Sequence, residues 1–238
     1  MSAPRTIRAR ARAELTTEIK DAARRQLAEV GAPALSLRAV ARSLGMVPSA
    51  LYRYFASRDH LLTALIVDGY LAVGEAAEAA SIGRPREDLT ARWLDVAAAI
   101  RRWALEHPNE WALLYGSPVP GYRAPRETVE PALRVTRALA EVFTDAHTQG
   151  RLQPPLLNVP VPDRLTRGLE PLRQTLLPGV PEDVAPRAVM AWTQIMGSIS
   201  LELFGHFEGG VVDLEAMFLH GAAVAGVLVG LPTGLALG

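Results

Sequence analysis

SLRAVARSLGMVPSALYRYFASRDHLL, residues 36–62, decides how this chain is read. It opens on Ser36, a good helix N-cap, followed by eight residues whose apolar positions, Leu37, Val40, Ala41 and Leu44, recur at helical spacing. Gly45 ends that segment, as glycine commonly does just past a helix C-terminus. Pro48 then opens a second segment, because the N–H it lacks is not needed in a first turn. Helix, tight glycine turn, helix is a helix-turn-helix shape. Ala41 is small enough for two helices to cross closely above the turn, and Val40, Leu44, Met46 and Leu51 supply the apolar positions to be buried between them.

The second of these helices, expected over 48–55, turns Pro48, Leu51 and Phe55 inward and Ser49, Ala50, Tyr52 and Arg53 outward. Small residues let a helix approach a groove floor, a guanidinium can reach base edges, and phenol hydroxyls can donate to phosphates. An ordinary helical hairpin whose tyrosines cap a core would carry the same residues.

Charge along the chain bears on the choice. Overall, 25 Lys and Arg balance 25 Asp and Glu, but residues 1–60 hold 11 basic and 5 acidic residues, a net +6, which leaves −6 for residues 61–238. A basic end on an acidic body suits a polyanion-binding module joined to a part of different purpose, although a solvated arginine-rich tail would give the same count. The absence of cysteine removes disulfides, thiolate metal sites and cysteine nucleophiles. The N-terminal MSAPRTIRARARAEL has positive charge without an apolar region behind it, so no export signal is expected. The apolar run near Ala222–Leu231 is far short of the roughly 20 residues that span a bilayer, so no membrane partner is expected and cytoplasmic residence is.

Apolar residues recur at three- and four-residue spacing almost throughout, with no sustained alternation, so the fold is read as all-α. Proline and glycine cut the chain into helices expected near 12–30, 37–44, 48–55, 58–80, 86–106, 108–115, 125–149, 163–177, 182–208 and 214–230. RLQPPLLNVPVPD, residues 151–163, holds four prolines and is expected to be a loop or extended strap. The natural division is an N-terminal three-helix domain, 1–57, and a larger helical domain, 58–238.

Residues 36–62 resemble the DNA-binding helix-turn-helix of TetR-type (tetracycline-repressor-like) transcription regulators. LYRYFASRDHLL is similar to that family's Leu-Tyr-x-(His or Tyr)-Phe, short Ser-containing link, Lys or Arg, acid, any residue, Leu-Leu. The resemblance implies that Ser36 and Arg38 meet phosphate or the groove edge, that Ser49, Ala50 and Arg53 face bases, and that Tyr52, Tyr54 and Arg58 hold the backbone. Pro48 and Ala50 lie at the same surface but offer no hydrogen bond where some relatives carry polar groups. The helix that follows, with Ser57 as N-cap and Leu61, Leu62, Leu65, Ile66, Gly69 and Val73 as its buried stripe, would couple ligand to DNA spacing, as its counterpart does in that family.

Beyond it lie Trp93, Trp103, Trp111 and Trp192, whose default reading is core packing. EHPNEWALLYGSPVPGYRAP, residues 106–125, nevertheless sets amphipathic rings around a Gly-Pro turn, and such rings also line ligand pockets. The candidate ligand residues are therefore Trp103, His107, Trp111, Tyr115, Tyr122, Trp192, Met196, Ile199 and His206, set against the plain alternative that His206 and Met196 are core filler. The helix 182–208 carries two apolar faces, and the segment 214–230 is apolar nearly all round. Pairing of these two helices with their copies across a two-fold axis buries both, with Gly197, Leu201, Phe204, Phe218, Ala222 and Ala225 as candidate dimer contacts. This resembles the four-helix dimer bundle of TetR-type regulators, and the motifs resemble a C-terminal subgroup known for Trp, His and Gly.

The resemblance implies a ligand-responsive repressor. Its partners would be double-stranded operator DNA, a second copy of the chain and a small apolar or amphipathic effector, with no cofactor, metal or catalytic residue. A helical enzyme is the competing reading; His60, His107, His147, His206 and His220 show no metal-ligand spacing, and its best candidates would be His107 or His206 with Glu110 or Glu202. A DNA-architectural protein would want basic surface where the C-terminal part is acidic.

Overall fold

The computed structural model describes residues 7–157 and 159–233. The first six residues, part of the N-terminal stretch read above, lie outside it, as do Asn158 and the last five. The described residues form α-helices without strands: α1 (Ile7–Val30), α2 (Leu37–Ser43), α3 (Pro48–Leu51), α4 (Arg58–Ile82), α5 (Leu89–Glu106), α6 (Pro108–Tyr115), α7 (Val129–Thr148), α8 (Asp163–Leu176), α9 (Val184–Leu203) and α10 (Leu214–Val229). Short 3-10 turns at Ala32–Ala34 and Arg126–Thr128 precede α2 and α7.

The chain groups into two compact units. One, the head, comprises residues up to Gly69 together with Asn109–Val129; the other, the body, comprises Tyr70–Pro108 and the chain from Glu130 onward. α4 runs without interruption from one into the other.

In the head, Ile19, Ala22, Ala23 and Leu27 of α1 pack with Leu37, Val40 and Ala41 of α2, with Leu51 and Phe55, and with Leu61, Leu62 and Leu65 of α4. Each set follows the three-four spacing of one helix face. α4 is long and apolar enough, by length and composition alone, to cross a membrane, but half of that stretch is buried inside the protein. The leucines that raise its hydropathy are those of the head core.

In the body, α9 and α10 pack on each other and on α5. The closeness of the packing has a local cause: a Cβ on Gly226 would lie 2.8 Å from the Trp93 indole nitrogen, so only glycine lets that ring reach α10. There Trp93 Nε1 donates to the Ala222 carbonyl at 2.6 Å and its ring lies 4.9 Å from that of Phe143 on α7. Arg92, 2% exposed, donates to Asp145 at 2.7 Å, to the Arg86 carbonyl and to Ser81, tying α5 to α7 and to the end of α4. Arg101 makes a two-pronged pair with Glu202 of α9 at 2.6 and 2.8 Å, over the Phe218 ring. α8 carries a proline, Pro171, inside its length, which removes one of its backbone hydrogen bonds.

Candidate functional site: outward helix face, apolar cavity and pairing face

The turn between α2 and α3 is fixed by backbone chemistry. Gly45 has φ +65°, its N–H donates to the Arg42 carbonyl at 3.1 Å, and the Met46 N–H donates to the Ala41 carbonyl at 2.9 Å. This reciprocal pair satisfies the last carbonyls of α2, and the left-handed position excludes a side chain without strain. Val47 is extended, as a residue before proline prefers, and Pro48 opens α3. α3 is regular only to Leu51; Arg53 N–H to Ala50 O and Tyr54 N–H to Leu51 O are three-residue bonds, so the helix tightens before Phe55. Arg12 of α1 closes that end, with Nη2 donating to the Arg53 carbonyl at 3.2 Å and its guanidinium 5.0 Å from the Tyr54 ring centre.

Pro48, Ser49, Tyr52 and Arg53 are exposed, Ala50 half-buried and Leu51 buried. Arg38 and Arg42, four residues apart on α2, are exposed as well. The surface is thus cationic and hydroxyl-bearing, held on a rigid turn.

Two expected roles change in the structure. Ser36 does not cap α2 with its side chain; its N–H instead donates to Gln26 Oε1 at 3.1 Å, which leaves the hydroxyl uncommitted to a cap. Arg58 turns inward: Nε donates to the Leu35 carbonyl at 3.1 Å, and Nη2 to those of Ala32 at 2.8 Å and Pro33 at 3.1 Å. Its guanidinium ties α4 to the α1–α2 connection, an assignment no spacing rule reveals, since backbone carbonyls leave no mark on sequence. Ser57, as its position suggested, accepts the His60 N–H at 3.2 Å and caps α4.

The body holds a partly open apolar cavity of about 220 Å3. Trp93 of α5, Thr136, Ala140 and Phe143 of α7, and Leu172 and Leu176 of α8 form most of its wall, with Ala188 and Trp192 of α9 completing it. The head has a larger cleft of about 550 Å3 that is open and polar; within it Lys20 lies 2.9 Å from Asp68, and Asp68 lies 2.8 Å from Arg24. Among the described residues no group of three or more His, Asp or Glu is placed to hold a metal ion.

A third surface lies on α9 and α10. Leu201 and Phe204 are 42% and 50% exposed, Val224 and Leu228 are 45% and 37% exposed, and Gly197 opens onto empty space. These are large apolar side chains at helical spacing facing water, which a lone protein rarely tolerates as a patch.

Comparison with known proteins meets this geometry at both ends of the chain. Residues 19–65 match the family model of bacterial regulatory proteins, tetR family, and residues 93–225 that of the tetracyclin repressor-like C-terminal domain. The chain belongs to the TetR family of transcriptional regulators. The HTH-type transcriptional regulator Rv1816 of Mycobacterium tuberculosis (strain H37Rv) is 41% identical over 205 residues, which covers 83% of this chain and 84% of that protein. The crystal structure of the regulatory protein SCO4313 superposes with a TM-score of 0.75 at 33% identity, covering 94% of this chain and 98% of the other. That of the TetR family regulator PfmR from Thermus thermophilus, at 18% identity and TM-score 0.53 over 90% of this chain and 98% of the other, shares the fold. The TetR family is one of DNA-binding transcription regulators that act as dimers, and not of enzymes.

Of the nine candidate ligand residues, Trp192 alone lines the cavity of this TetR-family body. Trp111, Tyr115 and Tyr122 belong to the head, where Trp111 is fully buried 4.4 Å from the Tyr115 ring and the Tyr122 hydroxyl lies 2.9 Å from that of Thr63. In the body, Trp103 stacks on His107, whose Nδ1 is 3.0 Å from the Trp103 carbonyl. Met196 and Ile199 are buried core residues of α9. His206 stands outside the helix, exposed, because Gly205 at φ +75° ends α9 early. Among the candidate dimer contacts, Gly197, Leu201 and Phe204 do lie on the outward stripe. Phe218, Ala222 and Ala225 do not: they are buried within the chain, beneath Arg101 and Trp93 in the first two cases.

Proposed function

We propose that this chain is a ligand-responsive repressor that binds a near-palindromic operator as a homodimer in the cytoplasm. The observation that carries the reading is the outward Ser49, Tyr52 and Arg53 of α3, held by the Gly45 turn on a surface with Arg38 and Arg42. Arg53 reads a base edge; Ser36, Arg38, Tyr52 and Tyr54 position the duplex backbone. The apolar stripe of Leu201, Phe204, Val224 and Leu228 supports pairing of α9 and α10 with a second copy, which gives two heads for successive major grooves about 34 Å apart. A small apolar or amphipathic effector in the body acts through its unequal affinity for the DNA-competent and DNA-incompetent states, with α4 as the element both units share.

Selection of bound duplexes from a random library tests this directly. The expected product is a palindrome, and Arg53→Ala relaxes the preference at one position of each half-site, a loss of about 1 to 3 kcal/mol of discrimination. A chain that stays monomeric and ignores duplex DNA in dilute salt refutes the reading.

A further inference from the structure

The wall of the body cavity limits which molecules can enter it. No Lys, Arg, Asp, Glu or His lines the 220 Å3 space between α5, α7, α8 and α9. An ion placed there loses part of its hydration and gains no counter-charge, and a many-hydroxylated molecule loses hydrogen bonds that the mainly apolar wall does not replace. Engineered cavities of roughly 150 Å3 walled by Leu, Ile and Phe stay dry and bind benzene, so a space about half again as large suits a second fused ring or a branched skeleton of similar bulk.

Two polar groups interrupt the carbon. On α7, Thr144 and Thr148 spend their hydroxyls on carbonyls four residues back, at 3.2 and 2.9 Å. Thr136, on the same helix, makes no such bond and has no hydrogen-bond partner among the described residues, although it lines the cavity. The contrast recurs between the two tryptophans of the wall. Trp93 Nε1 is committed to the Ala222 carbonyl, whereas Trp192 Nε1 has no partner among the described residues. A hydroxyl donates and accepts whereas an indole only donates, so Thr136 is the group of this wall that can meet either a hydroxyl or a carbonyl.

We propose that this cavity is the effector site and that it selects an uncharged, compact, mainly hydrocarbon molecule of about ten to twelve heavy atoms bearing a single hydroxyl or carbonyl, read by Thr136. The assignment rests on the ligand-responsive reading for its consequence at DNA, and not for binding itself.

The test uses the full chain and calorimetric titration with 1-naphthol and 1-naphthoate at neutral pH, which share a ring system and differ in charge. Wild type binds 1-naphthol in the micromolar range and 1-naphthoate at least about thirtyfold more weakly. Thr136→Val, equal in shape, weakens 1-naphthol by roughly three- to tenfold. Ala188→Phe, which fills the space, abolishes 1-naphthol binding while the variant keeps the helical circular-dichroism signal of wild type. Equal affinity for the two probes, no binding of 1-naphthol by wild type, or wild-type affinity in both variants overturns the assignment. Should Ala188→Phe fail to fold, the charge ratio and Thr136→Val decide alone. A wild type that binds 1-naphthol as described but no duplex refutes the repressor and leaves the cavity assignment standing; one that binds its duplex and not 1-naphthol does the reverse.

Discussion

Removing the Arg58 guanidinium separates two roles that sequence alone confuses. Arg58→Ala deletes three hydrogen bonds, to the carbonyls of Leu35, Ala32 and Pro33. Charge-assisted bonds contribute about 1.5 to 3 kcal/mol each when buried, but this side chain is 28% exposed and the carbonyls of the Ala32–Ala34 turn can rehydrate. The net loss is therefore about 2 to 3 kcal/mol, not the sum. Hydrogen exchange of the α2 amides, read by mass spectrometry, measures it locally: protection falls by roughly 30- to 150-fold. Arg58→Lys recovers only part, since one ammonium cannot span three acceptors on two sides. The slope of log affinity for duplex against log salt stays at its wild-type value. A phosphate contact predicts the opposite, a slope shallower by about 1.8 for two heads that each lose one contact, with protection intact, and that outcome would refute the structural role.

Arg101→Leu leaves Glu202, only 7% exposed, without its partner and costs about 3 kcal/mol of stability, while the double change Arg101→Leu/Glu202→Leu regains most of it; equal urea midpoints for single and double variants would contradict this. Hydrogen bonds from Arg134 hold the Glu78 carboxyl below the usual glutamate range. A lowered folded value means that the stabilisation is complete above about pH 4.5 and is lost as pH falls through the folded value. Glu78→Gln accordingly flattens the acid limb of a plot of urea midpoint against pH, and superimposable limbs would exclude the effect. Phe204→Glu places charge on the exposed stripe of α9 and α10 and halves the mass measured by sedimentation; an unchanged mass would move the pairing face elsewhere.

The helix-turn-helix was legible because its determinants are local. Gly45, Ala41 and Pro48 act through backbone dihedrals and short-range sterics, and these depend on neighbours in sequence. The helical pattern was likewise legible, though α9 ends at Leu203, where Gly205 outweighs the apolar spacing that continues to Phe207. The exposed apolar stripe of α9 and α10 was half legible. α9 has a polar side against which two apolar stripes can be told apart, so the exposure of Leu201 and Phe204 follows from spacing. α10 is apolar all round, and periodicity cannot say which side meets α5 and which faces outward; that is decided by Trp93 reaching the Ala222 carbonyl past Gly226. The cavity wall was illegible apart from Trp192. It is built from ordinary Leu, Ala and Thr on four helices, while the conspicuous rings at 103–122 are engaged with neighbours close in sequence or with Thr63.

The chain passes between head and body three times, at 69/70, 108/109 and 129/130. A head cut out as one N-terminal fragment therefore lacks Trp111, the Glu110 carboxylate 3.8 Å from Arg24, and the phenol that meets Thr63. Grafting this head onto another body requires transplanting two separate segments and splicing in the middle of α4. Recombination at a single crossover would therefore deliver a head without its Asn109–Val129 segment.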